Sequence, residues 1–175
     1  MRERIDHILS RVTEEIFEKL AFMFSFPEEG FEPEIESSAA EPPVVTEVFF
    51  EGPFSGRLVM SLSPRLLPEL AGNMLGTDDN EATTPDQRFD ALKELINVVC
   101  GNLLPEIAGK QAIFNVDTPK IIDPAGAAPA AEETLLGDTA LLVEDEKCEL
   151  RLYGIGGIPD RVFQTDSGAD ASDAF

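Results

Sequence analysis

The chain has 175 residues, 43% of them hydrophobic, with 13 Lys and Arg against 34 Asp and Glu and a formal net charge of −21. This length and apolar content fit a single globular domain that buries a core without disulfides or structural metal. So acidic a surface repels phosphate backbones and anionic lipid, which sets aside nucleic acid and membrane and leaves proteins or small molecules as partners.

Ile5, Ile8, Leu9, Val12, Ile16, Leu20 and Phe24 recur at helical spacing and predict a long amphipathic opening helix. Residues 25–45, rich in Pro, Glu and Ser, read as a flexible acidic insertion. The run VVTEVFFEGPFSGRLVMSLS predicts two strands joined around Gly52-Pro53 and Gly56. PRLLPELAGNMLG predicts a shorter helix, opened by proline and closed by Gly76. An acidic loop, TDDNEATTPD, then leads into a second long helix, DALKELINVVCGNLLPEIAG.

After that helix QAIFNV reads as a strand and DPAGAAPAAEE as a loop of small residues. TALLVEDEKCELRLYG reads as a hairpin turning near Glu146-Lys147. Residues 161–175 read as an acidic, disordered tail outside a domain spanning 1–160. The order is helix, strands, helix, then long helix and strands. It describes an α+β fold of two pseudo-repeated halves, with long helices packed on a largely antiparallel sheet. Cys100 and Cys148 read as reduced thiols. With no apolar h-region and no run near the ~18–20 residues of a membrane helix, the expectation is a cytoplasmic protein.

The second long helix poses the functional question. At about 100° per residue, with Asp90 as zero, Glu94 falls near 40°, Asn97 near −20° and Gly101 near 20°. Leu92, Ile96, Val99 and Leu103 gather around 180–240°, so one face is buried and Asp90, Glu94, Asn97 and Gly101 form a straight outward row. Such a row is commonly just the solvated side of a helix. Gly101 is the odd member: a mid-helix glycine costs about 1 kcal/mol relative to alanine, and close approach of another molecule is one reason to keep it.

The spacing Asp90-x3-Glu94-x2-Asn97, followed after 21 residues by Pro119, resembles the signature of the CheC/CheX/FliY chemotaxis phosphatases. Its last spacer is one residue shorter than theirs. ELINVVCGNLLPEIAG resembles the family's Glu-x-x-Asn helix, and TPKIIDP its proline-bearing strand. Two-site members repeat the signature in the first helix. Here that helix offers Arg11, Glu15 and Glu18, or Ser10, Glu14 and Phe17, with no asparagine. The single-site pattern resembles CheX more than CheC.

The resemblance implies a CheC-like fold and hydrolysis of the aspartyl-phosphate of a CheY-like response regulator. It implies catalytic roles for Glu94 and Asn97, with Asn97 positioning the attacking water and Glu94 pairing with the regulator's lysine. Asp90 and Gly101 would face the partner, Asp90 also reading as an ordinary first-turn acid, and Pro119 would be structural near the site. No metal or cofactor is expected on this chain, whose one histidine, His7, has no ligand-spaced companion; the Mg²⁺ would arrive on the regulator. A homodimer through the sheets is also implied. The alternative is a non-catalytic regulator-binding or flagellar-switch module of the same fold; an unrelated acidic adaptor is a third reading.

Overall fold

The computed structural model describes residues 1–28, 41–77, 82–156 and 158–163. The opening helix α1 spans Arg2–Ala21 and buries Ile5, Ile8, Leu9, Val12, Ile16 and Phe17, the stripe its periodicity predicts. It stops earlier than that stripe implied. Phe22 adopts a left-handed conformation (φ 53°), the N–H groups of Phe22 and Met23 both donate to the Phe17 carbonyl, and Phe22 and Phe24 are left exposed.

Strands β2 (Val44–Glu51) and β3 (Ser55–Leu62) form the first hairpin. A 3₁₀ turn at Pro64–Leu66 precedes α2 (Leu67–Leu75), which Gly76 ends in the left-handed region at φ 67°. The second long helix, α3, spans Pro85–Ala108. Two short strands follow, β4 (Asn115–Val116) and β5 (Lys120–Ile122), then β6 (Glu133–Val143) and β7 (Glu146–Ile155).

Four readings need correction. Ser25–Pro27 forms a short strand, β1, paired with Leu141–Val143, and Val44 already opens β2, so both ends of the 25–45 stretch are ordered into the sheet. Residues 29–40 between them lie outside the described residues. The second hairpin turns at Glu144-Asp145, two residues before the expected place, and both turn residues have positive φ (47° and 66°). QAIFNV contributes only Asn115–Val116 as strand. Of the expected tail, residues 161–163 belong to a 3₁₀ turn, Asp160–Phe163, and 164–175 lie outside the described residues.

Among the described residues seven strands form one antiparallel sheet in the order β1-β6-β7-β3-β2-β4, with β5 also on β2. The central pair β3/β7 is the seam between two similar halves. Each long helix crosses it: α1 packs on β6 of the second half, and α3 on β2 of the first. The main core lies between these helices and one sheet face, where Leu58, Met60, Leu62, Leu141, Cys148, Leu150 and Leu152 are all buried. Gly137, at a register shift in β6, permits the close approach of α1, since a Cβ there would stand 2.6 Å from Ile5 Cγ2.

The other sheet face carries a smaller cluster of Val45, Val59, Ala127 and Tyr153, over which the loop after β5 is laid. Arg57 fastens that loop by donating to the carbonyls of Gly126 (2.8 Å) and Ala128 (2.7 Å), and Tyr153 Oη donates to that of Ala127 (2.9 Å).

Candidate functional site

Helix α3 is fixed firmly at its start. Thr84 Oγ1 accepts from the Gln87 N–H, the Gln87 side chain accepts from the Thr84 N–H, and Pro85 fills the first helical position. Its buried stripe, from Ala91 and Leu92 through Val99 and Cys100 to Leu104, holds one orientation against β2, β3, α1 and α2. The opposite face therefore has a settled direction, and it carries the row named from sequence.

Asp90, Glu94 and Gly101 are exposed and Asn97 is half-buried. Among the described residues, neither the Glu94 carboxylate nor the Asn97 carboxamide takes part in a hydrogen bond or ion pair. Two polar groups one helical turn apart thus stand uncommitted on a rigid helix. A carboxamide offers two donors and an acceptor, enough to hold a water in a chosen direction.

Asp90 is engaged instead with a residue the sequence reading passed over: Lys93 Nζ lies 3.0 Å from its Oδ1. An i,i+3 Asp–Lys spacing was the available signal. At Gly101 an added Cβ would meet nothing within 4 Å among the described residues, so none of their packing requires glycine. One turn on, Pro105 lies inside the helix and has no N–H to give the Gly101 carbonyl. Asn102 is turned to its own helix, its Nδ2 donating to the Val98 carbonyl (2.8 Å), and takes no place in the row.

Pro119 stands apart from the helix. It is half-buried in the link between β4 and β5, two short pieces of a broken edge strand that both pair with β2 and that α3 packs beside. The missing N–H of proline suits such an edge. Cys100 is buried to one side of the row, and burial pushes its thiol up to about 12, far from a nucleophile's range. Among the described residues no three His, Cys, Asp or Glu side chains gather as metal ligands, and no helix is long and apolar enough to cross a membrane. Helix α1, which packs beside α3, contains neither Asn nor Gln in any register, so it cannot duplicate the Asn97 arrangement.

Residues 44–135, over half of the chain, match the family model described as chemotaxis phosphatase CheX. The chain belongs to the CheX family. No curated protein matches it in sequence. Among solved structures it resembles the chemotaxis protein CheX from Desulfovibrio desulfuricans, with 14% identity, 86% of this chain and 99% of that chain covered and a TM-score of 0.64. It also resembles CheX from Vibrio vulnificus, with 16% identity, coverage of 85% and 94% and a TM-score of 0.62. A third likeness is to the Borrelia burgdorferi CheX–CheY–BeF₃–Mg²⁺ complex, with 12% identity, coverage of 85% and 96% and a TM-score of 0.55. At these identities the likenesses establish the fold, and the family match establishes a chemotaxis-phosphatase type of protein.

Proposed function

We propose that this chain hydrolyses the aspartyl-phosphate of a CheY-like response regulator, with Asn97 holding the attacking water and Glu94 pairing with the regulator's active-site lysine. The observation that carries the reading is the uncommitted Glu94–Asn97 pair on the exposed face of α3, in a chain of the CheX family. The Borrelia relative's capture with CheY, beryllofluoride and Mg²⁺ supports a regulator as the partner.

The residue types define the division of labour. Phosphoryl transfer needs cations around the equatorial oxygens and an oriented nucleophile. A row of Asp90, Glu94 and Asn97 provides orientation and little neutralisation. A response regulator brings its own Mg²⁺ and lysine, so the two proteins complete one site between them. Asn97 then does for water what a glutamine does in GTPases, and Glu94 fixes the angle at which the proteins meet. Pro119 would act only by shaping the sheet edge beside α3.

The test is decay of a phosphorylated regulator with and without the protein. Asn97→Ala should lose activity by an amount on the order of 10²–10⁴ while still binding the phosphorylated regulator. Hydrolysis by that variant at the wild-type rate would overturn the mechanism. As part of the same reading, two copies associate through their sheets; light scattering at tens of micromolar should return a dimer, and the monomer mass would reject that association.

A further inference from the structure

We propose that Lys93 is the cation through which this chain meets the negative charge of its phosphorylated partner, and that Asp90 competes for it within the helix. The inference rests on the reading of Glu94 and Asn97 given above and deepens it by naming what the site does with the charge of its substrate.

Helix α3 carries only two basic residues, Arg88 and Lys93. Arg88 is spent at the helix start, where its Nε donates to Thr83 Oγ1 at 2.9 Å. Lys93 is left as the one base of this helix on the side of the row. It lies three residues after Asp90 and four before Asn97, so the three side chains share a stripe, with Lys93 between the other two. Its ammonium rests 3.0 Å from Asp90 Oδ1, with 35% of the Lys93 side chain and 73% of the Asp90 side chain exposed.

The incoming group is a phosphoryl dianion in a ring of metal-binding carboxylates. Against it the row would present two carboxylates, Asp90 and Glu94, on a chain of net charge −21. Glu94 is matched by the partner's lysine. Asp90, 73% exposed and screened by water, matters here chiefly as the present partner of Lys93. Lys93 is the one cation this helix can set against that dianion, and once the substrate docks it can turn its ammonium from Asp90 to the stronger charge. A solvent-accessible pair at i,i+3 is weak and exchanges partners at little cost, so the pairing holds the lysine back only slightly.

The two residues should then act with opposite sign, and through one another. Affinity for a CheY-type regulator carrying beryllofluoride and Mg²⁺, with KM and kcat for the phosphorylated regulator, would be measured for Lys93→Met, Asp90→Asn, the double variant and Lys93→Arg. Lys93→Met should raise Kd and KM about three- to fivefold with kcat little changed, an effect that fades at high salt and is largely restored by arginine. Asp90→Asn should lower KM about twofold, and that gain should vanish when Lys93 is absent.

An Asp90→Asn gain that persists in the double variant would mean long-range charge alone, and weaker binding by Asp90→Asn would mean that Asp90 itself faces the partner; either overturns the proposal. So does an unchanged KM in Lys93→Met when Asn97→Ala abolishes hydrolysis, which leaves the functional reading standing. Wild-type hydrolysis by Asn97→Ala removes that reading and this inference together.

Discussion

Arg57 on β3 reaches across β7 to grip Glu133 on β6 with two parallel hydrogen bonds, Nε to Oε1 at 2.8 Å and Nη2 to Oε2 at 2.9 Å. On the way its guanidinium passes over the Tyr153 ring, 5.1 Å from the centroid, and on the other side Nη1 donates to Glu47 of β2 at 2.7 Å. With the two loop carbonyls added, all five N–H groups of the guanidinium are used. Burial alone would lower the Arg57 pKa, but the hydrogen bonds to Glu133 and Glu47 outweigh it and hold the pKa above its ordinary value. One side chain thus ties four adjacent strands and the loop above them.

Arg57→Met should therefore be severe. It strands two carboxylates whose side chains are only 13% and 5% exposed, Glu47 and Glu133, and removal of one member of a buried ion pair costs about 3–5 kcal/mol. Urea unfolding checks this. A loss under about 0.5 kcal/mol would show that water enters freely when the guanidinium leaves.

Gly101 separates stability from recognition. With no described residue where its Cβ would stand, Gly101→Ala should stabilise the protein by up to about 1 kcal/mol through helix propensity alone. Gly101→Leu should fold as well and yet bind the beryllofluoride-loaded regulator more weakly, because the added bulk meets the partner. Denaturation curves and a binding titration on both variants decide it; undiminished binding by the leucine variant would show that nothing approaches there.

Glu94→Lys sets a cation against the regulator's lysine and makes an attractive contact a repulsive one. The site is exposed, so the melting curve should stay within about 0.5 kcal/mol of wild type. Association with the regulator should weaken, and dephosphorylation should slow mainly through KM. Equal affinities would mean that Glu94 faces only water.

Much of this arrangement could be read from the sequence because burial imposes period. The helical stripes, the first hairpin and the outward row follow directly from apolar spacing. What escaped has a local cause in each case. Strand β1, Ser25–Pro27, is three residues long and holds a proline, so only its pairing with β6 makes it a strand. The second hairpin turns on Glu144-Asp145, which lacks the glycine or asparagine that marks such turns. Arg57 sits in a strand buried on both faces, whereas an arginine ordinarily signals solvent. Glu133 looked like the acidic end of a loop, although it opens an eleven-residue strand. Lys93 stands outside both the apolar stripe and the outward row, and only its i,i+3 spacing from Asp90 marks it.

The exchange of long helices across the β3/β7 seam has a consequence for how the protein comes apart. A break in the chain between Thr77 and Ala82 would leave two fragments, each with its own hairpin and the helix that covers the other's. Neither fragment has the lid its strands require, so neither keeps the core dry alone. Opening one half strips the apolar cover from its counterpart, and the two lose order as one cooperative unit. The slowest-exchanging amides of β3 and β7 should accordingly report a single opening free energy, shared across the seam.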